Sequence, residues 1–175
     1  MRVDWYPKLG VLAGASALAL TAVTATPAPA DDSPGGLQEV QMPADVEILE
    51  GVAPAPDTTV PFLAGRPKAA AASDTCLGDA SAYGVKGCFQ HHGDVVWSRD
   101  TEKDGLSAAV GIYTDYGRAS AVCINKLGAN TWATCNKDYS EDGKVRLRVM
   151  RYNGETGRFY QPESWSGWIP VDGQY

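Results

Sequence analysis

Four cysteines constrain the fold of this chain more than any other feature. All of them lie within the last hundred of 175 residues, and they form two pairs with partners twelve residues apart, Cys76 with Cys88 and Cys123 with Cys135. Four cysteines allow three connectivities, and we predict the two local disulfides, each worth about 3 kcal/mol by loop closure. The second pair flanks a predicted turn at residues 127–130, so its members could face each other across one hairpin.

The first thirty residues have the organisation of a secretory signal peptide. Arg2 and Lys8 are basic, residues 9–23 are apolar and uncharged, and residues 28–30 supply the small side chains of a cleavage site. The apolar run is shorter than the ~20 residues with which a helix crosses a bilayer, so we predict export and cleavage rather than an anchor. A secreted, extracellular protein without membrane association would keep its disulfides, and the cysteine spacing does not match a zinc site.

Residues 31–75 differ in composition from the rest of the chain. They hold six of the eleven prolines, a single aromatic residue and a net charge of −6, against −1 for residues 76–175. Because so little apolar surface cannot offset chain entropy, we predict a disordered or extended acidic linker, or a removed propeptide. Residues 46–49 are the exception, since they could add a short strand. The domain itself is almost neutral, which excludes a large basic footprint for nucleic acid.

Residues 76–175 are predicted to form an all-β domain. Short runs with strand character alternate with Gly, Asn and Asp turns, and no run of 11 or more residues has helical periodicity. The predicted strands are residues 87–90, 95–99, 106–114, 118–125, 131–136, 144–152 and 158–161. This pattern predicts a small antiparallel meander, a sandwich or an open barrel with two disulfides.

Strand 144–152 has a basic face, because its apolar and basic residues alternate. The basic residues are Lys144, Arg146, Arg148 and Arg151. Such a face could meet an anionic polymer such as wall teichoic acid or nucleic acid. The alternatives are a solvated face, or positive charges that protect an edge strand from pairing, and the near-zero domain charge favours these.

A series of short motifs runs through residues 76–169. In order they are Cys88-Phe89, Gly93-Asp94-Val95-Val96-Trp97, Asp100-Thr101, Asp104-Gly105, Asp115-Tyr116-Gly117-Arg118, Gly128-Ala129-Asn130-Thr131-Trp132, Cys135-Asn136 and Trp165-Ser166-Gly167-Trp168. This order resembles small secreted, disulfide-bonded proteins of Streptomyces-type actinobacteria. The resemblance implies a secreted domain with no established activity, so it transfers no catalytic residue.

The aromatic residues are the most suggestive candidates for binding. The domain contains four tryptophans, Trp97, Trp132, Trp165 and Trp168. Exposed aromatic faces stack on sugar rings or bases and lose little entropy on binding. The alternative is that a small domain with few aliphatic residues builds its core from aromatic side chains.

Two acidic turns resemble the opening of a calcium loop, in which alternate oxygen ligands converge around a glycine. The weak candidate ligands are Asp100, Glu102, Asp104, Asp138, Ser140 and Asp142. The closing glutamate is absent, because Gly111 and Val149 occupy its position. Ordinary Asp-Gly hairpin turns fit these residues better, and we predict no metal and no cofactor.

These features favour a secreted, non-enzymatic binding module for extracellular or cell-wall carbohydrate. The alternative is a protein-binding factor such as a protease inhibitor, with residues 126–130 inside the second disulfide as its exposed loop. A hydrolase that uses His91 or His92 with Asp79 or Asp94 is the third hypothesis. Adjacent strand residues point to opposite faces, so both histidines converge only in a turn. The expected partners are a polysaccharide or an extracellular protein.

Overall fold

A computed structural model describes residues 36–54 and 76–175 of the chain. These two ranges contain ten β-strands, and they include no helix long and apolar enough to cross a membrane. The strands are β1 (Glu39–Val40), β2 (Glu47–Glu50), β3 (Cys76–Ala82), β4 (Val85–Gln90), β5 (Val95–Asp100), β6 (Ser107–Thr114), β7 (Ala121–Asn125), β8 (Trp132–Asn136), β9 (Lys144–Asn153) and β10 (Arg158–Pro170). The predicted signal peptide, residues 1–30, and residues 31–35 and 55–75 of the predicted linker lie outside the described residues.

The strands form two sheets that pack face to face, so the all-β prediction is confirmed. The larger sheet has the order β1-β10-β9-β6-β7-β2 and the smaller sheet the order β3-β4-β5-β8. Inward side chains of both sheets share one core, because β-strands alternate their side chains between two faces. Val145, Leu147 and Val149 of β9 point into this core and are fully buried, as their alternation with basic residues predicts.

Both predicted disulfides, Cys76–Cys88 and Cys123–Cys135, are confirmed. The hairpin predicted for the second pair is wrong, because β7 belongs to the larger sheet and β8 to the smaller one. All five residues of β7 are buried, and the strand pairs with β6 and β2, which leaves no side free for β8. The connection between β7 and β8 therefore crosses from one sheet to the other, and Cys123–Cys135 links the two sheets.

Residues 36–54, which the sequence assigns to the linker, add two strands to the larger sheet. β1 pairs with β10 at one edge, and β2 pairs in parallel with β7 at the opposite edge. The chain between them covers part of the sheet's outer surface, where Val40, Met42 and Val46 pack with Met150 and Phe159 in a second apolar cluster. We call residues 36–50 the strap.

The last strand is longer than the sequence predicts. The predicted strand ends at residue 161, whereas β10 continues to Pro170. Its pairing with β9 is irregular between Tyr160 and Ser164 and again between Trp165 and Trp168. Pro162 lies in the first irregularity, and proline cannot donate a hydrogen bond to a neighbouring strand. The pairing resumes beyond it, which attaches both C-terminal tryptophans to the sheet.

Candidate functional site

Two of the four candidate tryptophans are buried. Trp97 has no exposed surface and Trp132 is 7% exposed. Their rings meet edge to face with centroids 5.9 Å apart, and both pack with the Cys76–Cys88 disulfide on the outer face of the smaller sheet. The indole N–H of Trp97 donates to Gln90 Oε1 at 3.0 Å. These two residues are structural, as the aromatic-core alternative proposes.

The other two candidates, Trp165 and Trp168, are exposed by 38% and 45%. In the pairing of β10 with β9, Trp165 lies opposite Arg148 and Trp168 lies opposite Arg146. Directly opposed residues of an antiparallel pair share a face, so both indoles lie on the outer face of the larger sheet, with the arginines. Since Arg146 and Arg148 are two residues apart, the indoles attach roughly 7 Å apart along the strand.

Trp165 is the centre of a small cluster on this face. The guanidinium carbons of Arg146 and Arg148 lie 4.7 and 5.0 Å from its ring centroid, within the range of cation–π contacts. The Tyr113 ring on β6 is 5.0 Å away. We call the surface formed by Trp165, Trp168, Tyr113, Lys144, Arg146 and Arg148 the aromatic–basic face.

The strap borders the aromatic–basic face and takes part in its hydrogen bonding. The Nη1 of Arg148 donates to the backbone carbonyl of Gln41 at 3.1 Å and to the Tyr113 hydroxyl at 3.4 Å. The same guanidinium forms an ion pair with Glu163, to which its Nε donates at 2.6 Å. All three nitrogens of the Arg148 guanidinium are therefore engaged in contacts within the protein.

Arg146 and Lys144 differ from Arg148 in their partners. The Nε of Arg146 donates to the Ser166 carbonyl at 2.9 Å, and its two terminal nitrogens bond to none of the described residues. Neither Arg146 nor Lys144 forms an ion pair with an acidic residue in the part of the chain that the structure describes. Two positive charges beside the exposed indoles are thus not neutralised within this part of the protein.

Two expectations for the basic face are wrong. β9 lies between β10 and β6, so its charges do not protect a sheet edge. Arg151 does not belong to the face, since it is buried and forms an ion pair with Asp104 at 3.1 Å. Arg151 is three residues after Arg148, so strand alternation places it on the opposite face, opposite Ala108 of the shared core.

A groove of about 480 Å³ adjoins the aromatic–basic face at Trp168 and Lys144. Its lining also contains acidic residues, among them Asp142 and Asp172, and the exposed Tyr175. An indole beside carboxylates suits sugar hydroxyls, which donate hydrogen bonds to carboxylate oxygens while the apolar sugar face stacks on the ring.

Two of the three calcium candidates in the first acidic turn, Asp100 and Asp104, accept hydrogen bonds from protein groups. Asp100 accepts a bond from the Glu102 backbone N–H at 3.1 Å, and Asp104 accepts one from the Leu106 N–H at 2.9 Å while it pairs with Arg151. Burial raises the pKa of Asp100 above its usual value, which disfavours the charge that calcium requires.

The hairpin interpretation of the two acidic turns is wrong, because β5 and β8 belong to the smaller sheet whereas β6 and β9, which follow the turns, belong to the larger one. The second acidic turn, which contains Asp138, Ser140 and Asp142, is held by bonds from backbone N–H groups. The Gly143 N–H donates to the Ser140 carbonyl at 2.8 Å, and the Ser140 N–H donates to the Tyr116 hydroxyl at 3.1 Å. Over residues 36–54 and 76–175, no three His, Cys, Asp or Glu side chains lie close enough to hold a metal ion.

His91 and His92 lie in the turn between β4 and β5, and their ring centroids are 4.0 Å apart. The candidate carboxylates face other groups, since Asp79 pairs with Lys86 and Asp94 accepts the Tyr139 backbone N–H at 2.8 Å. The two histidine rings lie close together because both are in a turn. In the described structure, neither the Asp79 nor the Asp94 carboxylate is hydrogen-bonded to them.

Asn125, which sequence reasoning missed, organises the loop at residues 126–130. Its amide donates to the carbonyls of Ser98 and Thr131 at 3.0 and 2.9 Å, and its oxygen accepts the Leu127 N–H at 3.0 Å. Asn125 has no exposed surface, whereas Leu127 is 44% exposed. A polar residue at the end of an apolar strand is the only sequence signal for this role.

In comparisons with known proteins, the chain matches no protein-family model, no curated protein and no solved structure.

Proposed function

We propose that this protein is a secreted, non-enzymatic module that binds extracellular carbohydrate through Trp165 and Trp168. The observation that carries the proposal is the exposure of both indoles on one strand and one face of the larger sheet. Single exposed apolar side chains are common on proteins, but adjacent large aromatic ones are typical of binding surfaces. The predicted signal peptide and the two disulfides support export, because disulfides persist outside the cytoplasm.

The proposal is tested by co-sedimentation of the purified, oxidised full chain with chitin, cellulose and bacterial cell wall, with Trp emission measured in parallel. We expect pelleting with at least one of these polymers. Because a central aromatic contact contributes more than about 1 kcal/mol, we expect Trp165→Ala and Trp168→Ala each to weaken binding on the order of tenfold.

The matched control is Tyr83→Ala. Tyr83 is also a large exposed aromatic residue, at 57%, and it also stacks with an arginine, but it lies in the turn between β3 and β4 of the smaller sheet. Its substitution should leave binding unchanged. If no polymer pellets the protein, or if the tryptophan variants bind as well as the original, the proposal is wrong. Pelleting that EDTA abolishes would instead assign binding to the acidic turns.

A second candidate function, a protein-binding factor such as a protease inhibitor, is favoured by the loop at residues 126–130. Asn125 and the nearby Cys123–Cys135 disulfide hold this loop while Leu127 projects from it. Gly128 and Asn130 have φ angles of 97° and 62°, so the loop is a tight turn rather than an extended segment. Assays against a panel of serine proteases and metalloproteases test this candidate, and Leu127→Ala should remove any inhibition that is found.

A further inference from the structure

We infer that the aromatic–basic face recognises an acidic sugar, whose anionic group binds the terminal nitrogens of Arg146 while its ring stacks on a neighbouring indole. This inference rests on the proposed function, and it adds the chemical class of the ligand. It follows from a difference between two successive arginines of β9, Arg146 and Arg148.

Each of the two arginines has a tryptophan directly opposite on β10, but an acidic side chain of β10 reaches only Arg148. The Nε of Arg148 donates to Glu163 Oε2 at 2.6 Å, and its Nη2 forms an ion pair with the same oxygen. Further contacts from the strap and Tyr113 use the remaining terminal nitrogen. This guanidinium is neutralised and holds the strap against the sheet.

Arg146 has Trp168 directly opposite on β10, and no acidic residue of the described chain forms an ion pair with it. The Arg146 guanidinium has a fixed orientation, because its Nε is bound to the Ser166 carbonyl and its carbon lies 4.7 Å from the Trp165 centroid. Its two terminal nitrogens have no partner among the described residues. A planar fork that is held in place in this way is prepared for two-point binding of a carboxylate or a phosphate.

Lys144 adds a second positive charge on the same face of β9, two residues before Arg146. It forms no ion pair with an acidic residue among the described residues. The carboxylates Asp142 and Asp172 line the adjoining groove together with Lys144, so a continuous polyanion would be repelled there. An anionic group is favoured near Arg146, and neutral hydroxyls are favoured in the groove beside Trp168. This distribution fits a glycan with spaced charges better than a continuous polyanion such as a nucleic acid.

The experiment compares two forms of one polymer, polygalacturonate and its methyl ester, which differ in charge but share the same sugar backbone. Affinity electrophoresis of the oxidised full chain measures both. We expect the acidic form to bind at least about tenfold tighter, and Arg146→Gln to remove most of that difference. Arg146→Lys keeps the charge but loses the fork, so it should give an intermediate affinity.

The control variant is Arg99→Gln. The guanidinium of Arg99 also lies over an indole, 5.7 Å from the Trp132 centroid, but on the outer face of the smaller sheet. The Arg99→Gln variant should therefore keep the preference for the acidic polymer. A glycerol-phosphate polymer, measured beside polygalacturonate, distinguishes a phosphate from a carboxylate as the preferred anion, and tight binding of either supports the inference. Thermal unfolding of each variant shows that the comparison is made on folded protein.

Equal affinity for the acid and the ester, or a preference that survives in Arg146→Gln, would overturn the inference and leave tryptophan-dependent glycan binding in place. Polyglutamate that binds as tightly as polygalacturonate would also overturn it, because no sugar ring would then be needed. If none of the polysaccharides binds, the proposed function fails together with the inference.

Discussion

Substitution of Asn125 should destabilise the protein in a manner that depends on the new side chain and on pH. The Asn125 side chain is fully buried, and it joins the end of β7 to Ser98 on β5 of the other sheet. It makes four side-chain hydrogen bonds, two as a donor through its amide nitrogen and two as an acceptor through its oxygen, to Ser98, Leu127 and Thr131. Net contributions of about 1 kcal/mol for each bond predict a loss of about 4 kcal/mol in Asn125→Ala.

Asn125→Asp should be the more damaging variant at pH 7. A carboxylate would turn an oxygen toward the carbonyls of Ser98 and Thr131, to which the amide now donates, and it would bury a charge. Both effects favour the protonated acid in the folded state, so the folded pKa of the introduced carboxyl would lie above the unfolded value near 3.9. The stability of this variant should therefore fall as the pH rises above about 4, and the penalty should diminish below that pH.

Urea unfolding followed by Trp emission, at pH 4 and at pH 7, measures these differences. Asn125→Ala should show the same loss relative to the original protein at both pH values. Asn136→Ala is the control, since Asn136 is exposed and its amide donates to the Gly93 carbonyl at 2.6 Å. We expect it to lose no more than about 1 kcal/mol. If Asn125→Asp costs no more than Asn125→Ala at pH 7, or if its cost does not change with pH, the role assigned to the amide is refuted.

Two further substitutions test the packing and the electrostatics of the fold. Gly87→Ala would place a Cβ 2.6 Å from Val110 Cγ2 and 3.1 Å from the Trp97 carbonyl, so it should cost about 1–3 kcal/mol in urea unfolding. Gly167→Ala, which meets no atom within 4 Å, should cost far less, and equal losses would contradict this account of the core. Asp100→Asn should raise the melting temperature at pH 7 but not at pH 3, because burial raises the pKa of Asp100 and its ionised form destabilises the fold above about pH 4. A gain of the same size at both pH values would show that the charge of Asp100 is not the cause.

Features that depend on neighbouring residues could be predicted from the sequence. Strand β9 and the turn that follows it are encoded by alternation and by Asn and Gly, and the predicted boundaries agree with the structure to within a residue. The Cys76–Cys88 disulfide follows from local spacing, because β3 and β4 pair and bring its cysteines together. The Cys123–Cys135 disulfide is confirmed as well, although its strands join different sheets rather than one hairpin. Both disulfides close loops of the same length, so loop-closure entropy alone predicts that each stabilises the fold by the same amount.

Features that depend on distant residues could not be predicted. Nothing in residues 118–136 indicates that β7 and β8 join different sheets, since that choice depends on β5 and β6. The packing of the strap on the larger sheet could not be predicted for a similar reason. Composition averaged over residues 31–75 indicates a linker, whereas three apolar residues, Val40, Met42 and Val46, suffice to bind the strap to a surface formed much later in the chain.

The candidate site also depends on this distant packing. The outer face of the larger sheet has one part with apolar residues such as Val122, Ile124 and Met150, which the strap buries, and another part with Lys144 and the arginines, which it leaves open. Charged residues are expected on the part that the strap leaves open, because water reaches it. Two exposed indoles on the same part are not explained in this way. Neither tryptophan is needed to shield the shared core, whose members are buried by the opposite sheet. We propose that a requirement outside the described structure accounts for them. A stacked sugar ring would meet it through the indoles and through the terminal nitrogens of Arg146, which have no partner among the described residues.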